Sequence, residues 1–463
     1  MSPLLLAILG YLVLQFGIGV WASKRVRSEA DYLLAGRSLG YPLATFSFFA
    51  TWFGAETVMG SAGTAYGQGV SLANAEPFGY GLCLVGMGVI FARPLWRRQL
   101  TTLADLFVAR YAVSVERVAA AILIPSSILW AAAQVRAFGQ VLSLAGAFEL
   151  EAAIALATGF TILYTVFGGL LADAVTDLIQ GGIVILGLLV VAVAVVVALP
   201  EGTTVMGALT APGAITLRPP DDVTWLALVE EWSIPVCGSL IATELVGRVV
   251  ASRSEQVASR SALMAGGMYV AVGLIPLLIG LIGREVVAPL ADAEQVVPAV
   301  AQQLLPPVLF VVFIGGLLSA ILSTVDSTLL VSSGLLSHNL IVPVFGIVDE
   351  RRKVLVARLG VASFGVIAYA LAVRADGVFA LVEQASAFGS SGVLVVVVFA
   401  LFTTWGGVRT AMATLLVGLV SYLAGAFGGI EAPFVSSLLL SLLTYLAGSV
   451  LEGRRAPVPL TER

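Results

Sequence analysis

About thirteen stretches of roughly 20 apolar residues follow one another along this chain, at about 3–22, 42–68, 73–95, 118–146, 150–169, 174–198, 223–247, 261–283, 303–335, 356–373, 377–402, 410–428 and 432–451. A hydrocarbon core of ~30 Å takes ~20 residues of helix to cross. Inside it every backbone N–H and C=O must be satisfied within the segment, which favours helices for runs of this length. Charged residues make up 11% of the 463 positions and hydrophobic ones 59%, whereas soluble domains carry roughly 25% charged residues. The expected fold is therefore all-α and polytopic. The whole of 1–463 reads as one membrane domain. It comprises an extra helix and loop at 1–40, five spans at 41–198, a loop at 199–222, five spans at 223–403, and two more helices with a short tail at 404–463.

Basic residues orient these helices. Of the 24 Lys and Arg, alternate loops place only Arg218, Arg284 and Arg374 on one side, with Arg136 inside a span; the rest, Arg248 among them, fall on the other side. The positive-inside rule makes that richer side cytoplasmic, so the N-terminus is expected outside and the C-terminus inside an inner (plasma) membrane. No basic residue precedes the first apolar run, and Lys24, Arg25 and Arg27 follow it. This is the reverse of a cleavable signal peptide, and the run reads as a retained helix.

Several activities are excluded by what the chain lacks. Lys24 and Lys353 are its only lysines, and neither lies in a G-x-x-x-x-G-K-[ST] loop, so no ATP site energises transport. His338 alone cannot provide bis-His haem ligation, and Cys83 and Cys237 read as small hydrophobes in separate helices. No nucleophile–base or metal-ligand constellation points to an enzyme. The expected partners are a small-molecule substrate and the lipid bilayer, with no nucleic acid and no organic cofactor; oligomeric state is left open.

Polar groups at membrane depth carry the functional signal. Ser319-Ala-Ile-Leu-Ser-Thr-Val-Asp-Ser-Thr328 sits within an apolar run, where hydroxyls and carboxylates face a bundle interior or a wet cavity and mark ion or substrate paths. The run at 42–68 carries Gly54, Gly60 and Gly63 beside Glu56, and the run at 223–247 carries Pro235 and Gly238 beside Glu230 and Glu231. Interrupted segments at matching positions of two halves point to a transporter binding site. Spans two to six and seven to eleven would then be inverted repeats, because five is odd. Unwinding at Ala50–Gly54 would free carbonyls opposite the hydroxyls of Ser323 and Thr324. Hydroxyls and carbonyls suit a hard cation such as Na⁺.

Three blocks resemble the sodium/solute symporters over nearly the whole chain. They are Ala50-Thr-Trp-Phe-Gly-Ala-Glu-Thr-Val-Met-Gly60 with the preceding Tyr32–Gly40, Tyr164-Thr-Val-Phe-Gly-Gly-Leu-Leu-Ala-Asp-Ala-Val-Thr-Asp-Leu-Ile-Gln180, and Ser319–Ser327. The resemblance implies a Na⁺ site of carbonyls at Ala50, Phe53 and Ala320 with the side chains of Ser323 and Thr324. It also implies Asp177 as a way station for departing Na⁺; the plainer role for Asp177 is an acid at a helix N-terminus. Within the family the nearest likeness is the high-affinity choline transporter branch, through Ala-Thr-Trp at 50–52, Trp130-Ala-Ala-Ala133 and Ser-x-x-Asp-Ser at 323–327. Trp52 and Trp130, with Trp232 as a looser third wall, would hold a quaternary ammonium by cation–π attraction, about 2 kcal/mol or more per desolvated contact. Glu56 stands where that branch has glycine, Ala242 lies near where it has another Trp, and Arg136 is intramembrane.

The leading expectation is Na⁺-coupled symport of a small organic solute, a quaternary amine such as choline among the choices. The alternatives are an amino acid or carboxylate substrate met by Glu56 and Arg136, coupling to H⁺ through Glu56 or Asp326, and a membrane sensor working with a separate signalling partner. The bland role for Arg136 is an ion pair with a glutamate. Single cysteines near Pro212 and Ala293 should label from outside, and ones near Ser254 and Asp349 from inside only. Outside labelling at Ser254 would overturn this topology.

Overall fold

Helices of bilayer-spanning length dominate the computed structural model, which describes residues 26–144, 148–219, 223–375 and 377–453 with scattered positions from 10 to 24. Much of the first apolar run and most of the C-terminal tail lie outside the described residues. Among the described residues there is no strand, only isolated bridges pairing Leu39 with Ser252 and Val70 with Ile215.

In chain order the membrane elements are α1 (Tyr41–Trp52), α2 (Ser61–Gln68), α3 (Phe78–Arg97), α4 (Val113–Ser143), α5 (Leu150–Phe167), α6 (Gly169–Val197), α7 (Trp225–Ser233) and α8 (Thr243–Ala251). They continue with α9 (Glu255–Gly283), α10 (Pro307–Phe345), α11 (Glu350–Arg374), α12 (Val378–Ala387), α13 (Ser390–Phe402), α14 (Val408–Phe427) and α15 (Pro433–Glu452). Ten helices among the described residues are long and apolar enough to cross a membrane, or 11 with the bent α12–α13 pair. The expected total of about 13 is not reached there. The α1–α2 segment is split by its break, and the first run is described only at scattered positions.

In chain order the broken pair α1–α2 is followed by α3, α4, α5 and α6, and the broken pair α7–α8 by α9, α10, α11 and the bent pair α12–α13. Local chemistry sets where these helices start. Thr224 caps α7 by accepting from Ala227 N at 3.1 Å, Ser254 caps α9 through Val257 N at 3.2 Å, and Asp349 caps α11 through Arg352 N at 3.1 Å. Each satisfies an N–H that the first helical turn leaves without a partner.

Both expected breaks are present. Phe53 leaves the helical region at φ −85°, ψ 69°, and Ala242 does so at φ −54°, ψ 138°. The second break falls at Ser239–Ala242 rather than at Pro235 and Gly238. A wide π turn at Ile234–Gly238 absorbs the proline, whose missing N–H needs no partner, and defers the opening. The reversal between α5 and α6 turns on Gly169, whose φ is +63° and whose added Cβ would lie 2.9 Å from the Tyr32 carbonyl oxygen. The second glycine of the Gly168–Gly169 pair thus has both a conformational and a steric reason.

The packing suits lipid outside and polarity inside. Val89, Leu186, Val366 and Val450 are exposed on outer faces, while Asp173, Asp177, Arg248, Ser323 and Thr324 are buried. At one end of the bundle Val70 N donates to Ala214 O at 2.8 Å and Tyr66 OH to Ala288 O at 3.3 Å. At the other, Leu39 N donates to Ala251 O at 3.2 Å, and Trp96 Nε1 to Ser252 O at 2.7 Å.

Candidate functional site

The opening of α1 is the centre of the site. In a continuous helix Gly54 N would bond Ala50 O and Ala55 N would bond Thr51 O. Instead Gly54 N donates to Trp52 O at 3.0 Å, and Ala55 N to Gln134 Oε1 at 3.0 Å. The carbonyls of Ala50 and Thr51 are released in the protein interior. Thr324 Oγ1, on α10, donates to the freed Ala50 carbonyl at 3.2 Å and lies 3.4 Å from Ala320 O. Three of the five expected oxygens therefore gather at one point. Phe53 is buried and is where α1 ends, with its ring stacked on Phe49 at 4.6 Å. Ser323 turns the other way and donates to Asp177 Oδ1.

That contact links the break to a second cluster toward the Leu39–Ser252 end. Asp177 lies about two turns into α6, which removes the reading of it as a helix N-terminal acid. One turn before it, Asp173 forms an ion pair with Arg248 of α8. Ser327 Oγ donates to Asp173 Oδ2 at 2.9 Å, and Arg248 Nε to Ser47 Oγ at 3.2 Å. The alternation of loops places Arg248 outside a span, but it is fully buried, because α8 continues to Ala251 and points this side chain inward.

On the other side of the break lies an aromatic group. Trp52 and Trp130 stack with ring centroids 4.7 Å apart and planes 8° from parallel. Tyr80 stands 6.0 Å from Trp52 and 6.1 Å from Trp130, and Tyr269 stands 6.3 Å from Tyr80. Two buried carboxylates adjoin these rings. Glu56 Oε2 accepts from Gln134 Nε2 at 2.7 Å. Glu76 Oε1 accepts from Thr57 Oγ1 at 2.6 Å and Tyr269 OH at 2.5 Å. A Cβ on Gly54 would come within 2.7 Å of Glu56 Oε2 and 2.8 Å of Gln134 Oε1, so the break needs glycine to admit both groups.

Two expected substrate residues stand elsewhere. Arg136 Nη1 donates to Ala372 O of α11 at 2.9 Å, and among the described residues it forms no ion pair with Glu56 or another acid. The helical repeat explains this. Trp130 and Gln134, four apart, share the inner face of α4, while Arg136, two further on, is turned about 200° from Gln134. Trp232 Nε1 donates to Leu72 O at 2.8 Å and lines an apolar groove with Val70, Phe78 and Leu217, apart from the Trp52–Trp130 stack. Glu230 is satisfied structurally, accepting from Phe434 N and Val435 N at 2.7 and 2.8 Å at the start of α15. His338 bridges Glu29 at 3.0 Å and Asp105 at 3.4 Å, tying α10 to the segments before α1 and α4. Burial pushes the Asp105 carboxyl up, but hydrogen bonds from His338 and the Thr101 and Thr102 N–H groups prevail and hold it below its ordinary value.

Sequence reasoning missed Gln134, Glu76, Tyr80, Tyr269, Asp173 and Arg248 as partners. Spacing offered part of the signal, since Gln134 follows Trp130 and Asp177 follows Asp173 by one helical turn.

The model of the sodium:solute symporter family matches residues 32–418. The chain belongs to that family. It is 28% identical over 407 residues to the high-affinity choline transporter 1 of Torpedo marmorata, covering 81% of this chain and 68% of that one. It is 26% identical over 467 residues to the sodium/pantothenate symporter of Escherichia coli K12, covering 96% of each. Among solved structures, a substrate-bound, outward-open Na⁺-coupled sialic acid symporter superposes with a TM-score of 0.84 at 17% identity, over 99% of both chains. A nucleobase-cation-symport-1 transporter in a closed conformation superposes with a TM-score of 0.61 at 16% identity, over 90% of this chain and 93% of that one. The chain is thus an inverted-repeat membrane transporter of the class that couples a small solute to Na⁺.

Removing one partner of a buried ion pair costs about 3–5 kcal/mol, because the other charge is left uncompensated. Asp173→Ala should therefore lower the thermal unfolding midpoint of the purified protein sharply, and adding Arg248→Met should restore most of the loss. Equal stability of Asp173→Ala and wild type would deny the pair this role.

Proposed function

We propose that this chain imports a small organic cation together with Na⁺ by alternating access, with its N-terminus outside and its C-terminus cytoplasmic. The segments 41–198 and 223–403 act as the two repeats. The observation that carries the cationic reading is the Trp52–Trp130 stack beside the buried carboxylates of Glu56 and Glu76. Aromatic faces and carboxylates both attract positive charge, and the one guanidinium expected there, Arg136, is bonded to α11. A carboxylate substrate would meet two acids and no cation. The full-length likeness to pantothenate symporters favours that second reading, and the site's charge opposes it.

Na⁺ would be held by the carbonyls of Ala50, Phe53 and Ala320 and the hydroxyls of Ser323 and Thr324. These oxygens come from α1 and α10, so an ion between them ties the broken helix to the second repeat. Substrate contacts at Trp52 and Glu56 lie on the same broken segment as Ala50, which gives binding of one solute a direct mechanical effect on the other. When the ion leaves, Ser323 hands it to Asp177 and the cluster around Asp173. Each unpaired charge at mid-membrane costs at least about 2.5 kcal/mol, so a polar file of this kind is the path of least desolvation.

In proteoliposomes an inward Na⁺ gradient should drive uptake, and a K⁺ or pH gradient alone should not. Replacing both Ser323 and Thr324 by Ala should raise the Na⁺ concentration for half-maximal transport by about ten-fold or more, the effect of losing one or two ion contacts of ~1.4 kcal/mol each. Uptake driven by a pH gradient would favour H⁺ coupling through Glu56 or Asp326.

A further inference from the structure

Between α3, α7 and α12, on the side of the aromatic stack away from Asp177, lies a cavity of about 30 Å³ lined by Ala75, Glu76, Tyr80, Glu231, Ile234, Pro235, Val382 and Glu383. That is room for one or two water-sized groups. Three of its wall residues are acids and none is basic, and among the described residues none of these acids is in a salt bridge. Glu76 is the informative one. It is 7% exposed; Thr57 and Tyr269 both bond its Oε1, while Oε2 is buried with no hydrogen-bond partner. Glu56, behind it, repeats the pattern: Oε2 is bonded to Gln134 and Oε1 is buried without a partner.

A buried carboxylate oxygen without a donor is costly, and a donor supplied by a ligand recovers that cost. Aromatic faces alone would serve any cation, including one with no N–H. Here the free acceptors ask for N–H groups in addition. We infer that the solute is a protonated primary, secondary or tertiary amine, its ammonium N–H groups donating to Glu76 and Glu56 and its carbon skeleton against Trp52, Trp130 and Tyr80. A quaternary ammonium would sit on the same rings but leave these oxygens unsatisfied. Glu76 and Glu56 thereby become the specificity-determining residues, with Glu231 and Glu383 drawing the cation in. This inference rests on the organic-cation reading above and narrows it.

A ligand series on one skeleton tests the point: ethanolamine, N,N-dimethylethanolamine and choline, which differ only in methyl groups replacing N–H, with pantothenate as the anionic arm. Binding is measured by calorimetry on the full chain in lipid nanodiscs with saturating Na⁺. At least one N–H-bearing amine should bind about ten-fold or more tighter than choline, the gain of a charge-assisted hydrogen bond. Glu76→Gln should remove most of that preference, and Glu383→Gln should weaken all amines alike. A retained Na⁺-induced thermal shift shows that each variant is folded. Choline binding as tightly as the amines would overturn the inference and leave the organic-cation reading standing. Pantothenate binding alone would overturn both. No binding by any amine of the series would also overturn the inference.

Discussion

Everything in this molecule that points to transport depends on one interrupted run of backbone hydrogen bonds. In lipid an α-helix cannot open without finding other partners for its N–H and C=O groups. Here the amide of Gly54 folds back on Trp52 O, the amide of Ala55 is taken by Gln134, and the carbonyl of Ala50 is taken by Thr324. Glutamine and threonine are neutral, so the break is stabilised without a fixed charge. The same exchange places carbonyls and hydroxyls where an ion of modest charge can replace a hydroxyl proton as their partner.

Charges are sorted around that opening. On one side Arg248 compensates Asp173, next to Asp177 and Ser323. On the other side Glu56 and Glu76 have hydrogen-bond donors and no compensating cation. The first arrangement can persist without a solute, since its basic partner is built in. The second is completed by something that comes and goes. A transporter needs both kinds of site: a path along which an ion moves and a chamber whose electrostatics change when the cargo arrives.

The fold was legible because its signals are strong and local. Apolar runs of about 20 residues define spans, and glycines beside Glu56 and a proline beside Glu230 and Glu231 flagged two broken segments. The position of the second break was misplaced by a few residues, because a π turn accommodates Pro235 and no short-range pattern announces it. Ala50, Ala320 and Thr324 were grouped from the break and from the family resemblance, and the structure brings them together. Arg136 and Trp232 stand apart from the Trp52–Trp130 stack for a common reason. An intramembrane arginine or tryptophan is conspicuous in a sequence, but only the rotation of its helix decides which way it faces. Glu76 was overlooked for the converse reason, since it sits at the edge of the run 73–95 and its importance comes from Thr57 and Tyr269, distant in sequence.

The central claim is that the carbonyl freed in α1 and the hydroxyl of Thr324 belong to one ion site. Equilibrium binding of radioactive Na⁺ to the purified protein, without any solute present, tests it most directly. Wild-type protein should bind Na⁺ saturably, and Thr324→Ala should weaken that binding by about ten-fold, the effect of one lost contact of ~1.4 kcal/mol. Trp232→Leu, remote from the break, should leave it unchanged. Undiminished Na⁺ affinity in Thr324→Ala would contradict the account.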